Sequence, residues 1–318
     1  MRRGVLALVG IAAAVGAWAV LREPAPDGRW FPRTHRFDRS LTDAQRAEIE
    51  QLEAIGYLGG TLPPGERAAG VFVHEPDAWT GPRFYVSGEG PVAHLIDATG
   101  TVLHTWRGDF WAHFPSYPVS WWHGSTDNWR RARLLDDGSV VAIHEGLGMV
   151  RLDARSALIW ANPGRHHHDL HVRGDEIVAL AREARIHPAI DADRPVLEDR
   201  VVWLRLADGV EIRSVSVYDA LRKSRFFRSL PARSARRDGD LLHTNAVWVL
   251  DGTLDNPAFA AGNVLLSFRE TSTLAVLDPR TERVVWTSTG SWSKQHDPQP
   301  DGLGRILLFD NVGGRSGA

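Results

Sequence analysis

The feature that most constrains this chain is a hairpin pattern that recurs from about residue 70 onward. Each copy is an apolar strand, an Asp, a turn and a second apolar strand that often ends on Trp, and the copies are residues 94–106, 149–160, 201–212 and 273–286. The marker residues Asp97, Asp153, Asp208 and Asp278 are spaced by roughly 55, 55 and 70 positions. The pattern therefore predicts a chain built from repeated β-hairpins.

A second kind of hairpin stands between these copies, at residues 133–144 and in three stretches that contain His, 165–180, 242–268 and 293–311. Paired hairpins at this interval are typical of four-stranded propeller blades, and an apolar period of two excludes a helical repeat. We expect an all-β propeller with blades at 71–106, 131–160, 166–217 and 241–287, and a fifth that starts at Gln295 with one hairpin. That count leaves the ring open, so either the reading frame is truncated or the N-terminal segment completes the last blade.

The composition restricts the classes of function. The chain has 318 residues, 43% of them hydrophobic, and a formal net charge of -2. It can bury a substantial core, and its charge balance disfavours a dedicated nucleic-acid binder. It contains no Cys, which excludes disulfides, thiolate catalysis and Cys-ligated zinc.

The N-terminal region has a separate organisation. Residues 1–21 begin with two Arg, continue as an apolar run and end near Ala17-Trp18-Ala19, which predicts a secretory signal peptide or an uncleaved membrane anchor. The body of the protein is then exported, periplasmic or anchored facing the periplasm. Residues 22–69 are expected to be a linker with one short helix over 42–55, and residues 70–318 to be the propeller catalytic domain.

Two inserts interrupt the repeat. Residues 110–129 are dense in aromatic side chains, which could line a pocket for an aromatic substrate or pack one blade on its neighbour. Residues 218–240 are rich in Arg, which predicts either a solvated helix and loop or a lid that attracts anions.

Three histidines recur at matched positions of the repeated unit. His168 and His296 each precede an Asp and stand six positions before a turn Gly, and His243 occupies the looser third copy, two residues before Asn245. Three interpretations stay open: a metal site, covalent catalysis by a neutral imidazole, and structural histidines that hydrogen-bond the inner strands. The metal interpretation is weaker, because His243 and His296 lack the acidic or Cys companions that would complete a closed metal site.

The combined motifs resemble those of the bacterial arylsulfate sulfotransferases. The resemblance rests on HHD, H-x-N, a Ser-Phe-Arg strand end at 267–269, and W-x-x-QHD followed by ILLFDN, and it extends over roughly residues 70–311. It implies a six-bladed propeller that carries a sulfuryl group from an aryl sulfate donor to a phenol acceptor through a transiently sulfated His. No cofactor, metal or nucleotide sulfate donor is implied.

The resemblance also implies a role for each matching residue. His296 is similar to the nucleophile, and His243 with Asn245 to the pair that holds the sulfuryl oxygens and assists the leaving phenol. Arg269 resembles the Arg that binds sulfate, although the segment before it is longer than the family pattern. His168 matches the HHD histidine, with His167 as the alternative for that position.

Two other functions remain as alternatives to sulfuryl transfer. A sulfate-ester hydrolase would use the same His with water as acceptor. A propeller without catalytic activity would bind ligands or partners at its funnel and use the histidines structurally.

Overall fold

The computed structural model describes residues 71, 73–116, 126–188, 190–227 and 240–311. The predicted signal or anchor at 1–21 and the predicted helix at 42–55 lie outside these residues. The described part contains five antiparallel sheets, in each of which strands that are consecutive in sequence are neighbours.

The strands have the following bounds. The first sheet contains β1 (Arg83–Val86), β2 (Val92–Ile96) and β3 (Val102–Arg107). The second contains β4 (Arg131–Leu134), β5 (Val140–His144), β6 (Gly148–Leu152) and β7 (Leu158–Asn162). The third contains β8 (His166–Arg173), β9 (Glu176–His187), β10 (Asp191–Arg205) and β11 (Glu211–Ser216). The fourth contains β12 (Thr244–Val249), β13 (Val264–Phe268), β14 (Thr273–Asp278) and β15 (Arg283–Thr289), and the fifth β16 (His296–Pro300) and β17 (Ile306–Phe309).

These sheets are the blades of a propeller, which confirms the predicted fold class. The first strands of successive sheets contact one another, β4 with β8, β8 with β12 and β12 with β16. Each first strand is therefore the inner strand of its blade, and the inner strands lie side by side. Among the described residues, the first sheet has three strands and the fifth has two.

The repeated Asp and Trp have identifiable structural roles. The carboxylate of Asp153 accepts hydrogen bonds from the backbone N–H groups of Arg155 and Ala157, which closes the turn between β6 and β7. Trp160, at the end of the same hairpin, donates from Nε1 to the carbonyl of Leu206 in the next sheet at 3.0 Å. Gly209 lies against the Trp160 ring with a φ of 69°, so a side chain there would collide with the indole.

Apolar layers fill the space between neighbouring blades. Val178, Leu180 and Val201 of the third sheet are buried against Val247 and Leu266 of the fourth. The other layers join the first sheet to the second, the second to the third and the fourth to the fifth in the same way. Burial of each such side chain contributes roughly 1.5–3 kcal/mol, so the blades are held together mainly by these layers.

The described parts of the two inserts pack on the blades. Helix α1 (Phe110–His113) belongs to the aromatic insert, and Phe110 and Phe114 are buried in the layer between the first two sheets. For these rings the packing interpretation is correct, while residues 117–125 lie outside the described part. Helix α2 (Val217–Arg222) begins the basic insert and buries Val217 and Leu221, and a short 3₁₀ helix covers Pro257–Phe259. Within the described residues, no helix has the length and apolar content that crossing a bilayer requires.

Candidate active site

Local backbone irregularities place the three recurring histidines on the inner strands. The pairing of β8 with β9 is interrupted after His167, that of β12 with β13 after Thr244, and that of β16 with β17 after His296. His168 and His243 have left-handed backbones with φ of 55° and 50°. Such bulges turn side chains out of the regular alternation, and they commonly occur beside functional sites.

The three imidazoles meet in space. The His168 ring centroid lies 5.0 Å from that of His243 and 6.5 Å from that of His296. His167 lies behind His168, with its Nε2 buried and 3.5 Å from a carboxylate oxygen of Asp199. His168 therefore occupies the position between the other two rings, and His167 supports it.

Glu145 orients His168. One carboxylate oxygen of Glu145 accepts the backbone N–H of His168 at 2.8 Å, and the other lies 3.2 Å from His168 Nδ1. Burial opposes ionisation of Glu145, but the charge and hydrogen bond of His168, together with Arg182 and His167, hold the pKa of Glu145 well below its usual value. An ionised carboxylate only accepts, so the proton of His168 is assigned to Nδ1 and its lone pair to Nε2. The same Nδ1 lies 2.9 Å from Nδ1 of His167, which then acts as an acceptor.

His243 forms a second pair with an acid. Its Nδ1 lies 2.5 Å from a carboxylate oxygen of Asp240, and its backbone N–H donates to the other oxygen at 3.1 Å. Burial opposes ionisation of Asp240, but His243, Arg182 and His168 lower its pKa to about 2. Nε2 of His243 is buried and has no hydrogen-bond partner among the described residues. This nitrogen is therefore available to a bound group, and the expectation that His243 lacks an acidic companion was wrong.

His296 has its Nδ1 fixed by the backbone. Nδ1 lies 3.0 Å from the carbonyl oxygen of Lys294 and 3.1 Å from Nδ2 of Asn311. A carbonyl only accepts, so Nδ1 carries the proton. The nitrogen and oxygen of the Asn311 amide can be exchanged by rotation, and the rotated amide accepts from the same N–H. The lone pair is then on Nε2. Burial, followed by the charges of Arg130 and Arg269, lowers the pKa of His296 to about 4, so its imidazole is neutral at pH 7.

Asn245 and Arg269 lie close to the histidines but have other partners. Asn245 donates from Nδ2 to the backbone carbonyl of Gln295, the residue before His296, at 2.8 Å. Its Oδ1 is buried and unpartnered within the described part of the chain. Nη1 of Arg269 lies 2.5 Å from the carboxylate of Glu270, and its backbone N–H donates to the carbonyl of His243. The charge of Arg269 is thus largely compensated.

Arg131 of β4 connects the residues that follow two of the histidines. Its guanidinium lies 2.8 Å from Asp169 and 2.8 Å from Asp297. Asp169 also accepts the backbone N–H of Val247 at 3.0 Å. The inner strands of the second, third, fourth and fifth sheets are therefore joined by one ionic and hydrogen-bonded cluster.

A narrow cleft, too tight to admit a water molecule, lies between the histidines. Its lining is polar and consists of His167, His168, Arg182, Leu197, Asp199, Asp240, His243 and Thr244. Burial, followed by the charge of Asp240, raises the pKa of Asp199 to about 7. Among these lining residues Asp199 has a pKa near neutral pH, whereas burial lowers the pKa of His167 and of His168.

Glu145, His167 and His168 are the described residues whose ligand atoms are grouped closely enough to hold a metal ion, within 4.8 Å of one another. The Arg182 guanidinium lies 3.7 Å from Glu145 and already supplies positive charge to that carboxylate. A cation placed there would be repelled by this guanidinium. The Arg182 charge therefore disfavours a metal ion at these three residues.

Sequence reasoning missed several residues of the site. Glu145 directly follows β5, Arg130 and Arg131 lie at the start of an inner strand without His, and Asn311 lies just beyond the last strand. None of these positions repeats along the chain, so none stood out. Asp240 had a usable signal, because an acid three residues before His243 reaches the ring when the segment turns.

An all-β propeller whose inner strands bring together three imidazoles, two of them paired with part-buried carboxylates, defines a protein with a histidine-based site at these strands. The sequence model of the arylsulfotransferase (ASST) family matches residues 131–316, which is more than half of the chain. The chain belongs to the arylsulfotransferase family. No curated protein matches it.

Solved structures of low similarity also match. The WD40 β-propeller domain of Doa1 has 9% identity and a TM-score of 0.43 over 72% of this chain and 57% of that chain. The β-propeller domain of Cps50 (Swd1) from Myceliophteria thermophila has 13% identity and a TM-score of 0.42 over 73% and 62%. BamB from Moraxella catarrhalis has 14% identity and a TM-score of 0.37 over 68% and 52%. The chain thus spans about half to three fifths of these structures.

Proposed function

We propose that the protein transfers a sulfuryl group from an aryl sulfate ester to a phenol through a sulfated His296. The observation that carries the proposal is the convergence of a neutral His296 with the His243–Asp240 pair around His168. Membership of the arylsulfotransferase family supports the same class of reaction.

The first step forms a bond between Nε2 of His296 and the sulfur and breaks the bond from sulfur to the aryl oxygen. The electron pair goes to the phenolic oxygen, which takes a proton from Nε2 of His243. Asp240 supports the imidazolium form of His243 through their short contact. A phenol, with a reference pKa of about 10, leaves more easily when it is protonated as it departs.

The second step regenerates the enzyme. Nε2 of His243 takes the proton of the acceptor phenol, whose oxygen attacks the sulfur while the bond from sulfur to His296 breaks. The lone pair returns to Nε2 of His296, and the product is a new aryl sulfate. Sulfuryl transfer is chemically analogous to phosphoryl transfer, in which catalysis comes mainly from positioning and from donors to the equatorial oxygens. Neutral His168 and Asn245 lie close enough to contribute to that positioning.

The test is a two-substrate assay with 4-nitrophenyl sulfate as donor and phenol as acceptor. We expect release of nitrophenol and formation of phenyl sulfate, both lost in His296→Ala and retained in the control His104→Ala, whose ring lies on the exposed outer strand β3. Release without phenyl sulfate would indicate a hydrolase. Donor binding without release, in folded protein, would indicate a propeller that only binds ligands.

We also propose that residues 1–21 direct the propeller out of the cytoplasm, as a cleaved signal or as an anchor. The charged start followed by an apolar run supports this. Fractionation of cells that express the full chain tests it, because a protein found only in the cytoplasmic fraction would contradict export.

A further inference from the structure

Arg130 is an exposed cation without a counter-ion at the edge of the site. Its backbone N–H donates to the carbonyl of Ile143 at 2.8 Å, which fixes it at the start of β4. Within the described residues, its guanidinium makes no ion pair and no hydrogen bond. The neighbouring Arg131 and the more distant Arg269 are both paired with carboxylates.

The position of Arg130 relative to the histidines follows from the contacts of Arg131. Arg131 contacts Asp169 and Asp297, and each of these acids directly follows a site histidine, His168 or His296. Arg130 stands one residue before Arg131 in the same way that His168 and His296 stand one residue before these acids. The electrostatics agree: after burial, the charge of Arg130 is among the causes that lower the pKa of His168 and of His296, each to about 4.

An unpaired guanidinium beside two neutral imidazoles is suited to an anion. A guanidinium group presents parallel N–H donors that match two oxygens of a sulfate group. The guanidinium of Arg130 makes no ion pair with a carboxylate of the described residues. Arg269 has less to offer, because Glu270 already accepts from it at 2.5 Å.

We propose that Arg130 is a substrate-binding residue that holds the non-reacting oxygens of the sulfate group. The proposal rests on the proposed function for the identity of the ester. It does not need turnover for its test, because an unreactive oxyanion should use the same contacts.

The experiment measures binding of inorganic sulfate to the full chain by titration calorimetry. Arg130→Gln is expected to raise the Kd about tenfold or more, the effect of losing a charge-assisted contact. Arg130→Lys keeps the charge but loses the two parallel N–H donors, so its Kd should lie between those of the unchanged chain and Arg130→Gln. Arg155→Gln, a change at an exposed Arg in the turn between β6 and β7, is the matched control and should leave the Kd unchanged.

Kinetics separate this proposal from the proposed function. Transfer activity together with an unchanged Kd and KM in Arg130→Gln would overturn the role of Arg130 and leave the sulfotransferase intact. A Kd that depends on Arg130, in a protein that transfers no sulfuryl group, would support the oxyanion site and reject the reaction. Absence of saturable sulfate binding in the unchanged, folded chain would overturn the oxyanion site itself.

Discussion

Arg131 and Asp297 form an ion pair of 2.8 Å although they are 166 residues apart in sequence. The pair joins the inner strand of the second blade to that of the fifth. Asp297 directly follows His296, so the position of the proposed nucleophile depends on a residue far away in the chain. The same guanidinium holds Asp169, which follows His168.

Loss of the Arg131 guanidinium should destabilise the protein. Arg131→Met leaves Asp169, whose side chain is 6% exposed, without its closest cation, and Arg133 is 4.0 Å away. Removing one partner of a buried pair typically costs about 3–5 kcal/mol of unfolding free energy. Asp297→Asn should cost less than about 1 kcal/mol, because Asp297 is 41% exposed. Urea unfolding of the two variants measures both losses of unfolding free energy, and equal losses would contradict this account.

Asp240→Asn should impair transfer in a way that depends on the leaving group. Without the carboxylate, Nδ1 of His243 loses its acidic partner, and proton transfer from His243 to the departing phenol is slower. Turnover of phenyl sulfate should fall by about 10²-fold or more, within the range for general acid catalysis, and that of 4-nitrophenyl sulfate much less. Asp208→Asn, at an exposed turn, serves as the control. Equal losses for both donors would argue against a general acid at His243.

The rate of the first step should fall on the acid side only at an unusually low pH. A neutral His296 has the lone pair that attacks sulfur, and protonation removes it. Because burial and two nearby guanidinium groups lower the pKa of His296 to about 4, the burst rate with 4-nitrophenyl sulfate should stay level from pH 7 down to about 5 and fall near pH 4. Rapid-mixing measurements across this range test it. A fall of the burst rate near pH 6.5, the ordinary pKa of an imidazole, would mean that burial does not lower the pKa of the nucleophile.

The repeated elements of the fold could be predicted from the sequence, and the isolated ones could not. Strand alternation and the Asp of each turn identify the hairpins, because these features depend on neighbours in sequence. The extension of β9 and β10 beyond the blade was missed, because the stretch from 182 to 199 contains two Pro and shows no regular apolar alternation. That extension supplies Arg182 and Asp199 to the site.

The histidines of the site were predictable for the same reason, since they occupy equivalent positions of a repeat. Glu145 was not, because it occurs once and reaches His168 only through the tertiary fold, whereas Asp240 stands three residues before His243 and had a local signal. Asp240 is brought beside the β10 extension by a bridge to Leu197, a pairing between distant segments.

The most direct test of the central claim is intact-protein mass spectrometry after brief mixing with 4-nitrophenyl sulfate in the absence of acceptor, followed by peptide mapping. We expect one added sulfuryl group on the peptide that contains His296, its loss when phenol is added, and no adduct in His296→Ala. Release of nitrophenol from folded protein with no adduct, or an adduct on another residue, would contradict a sulfated His296.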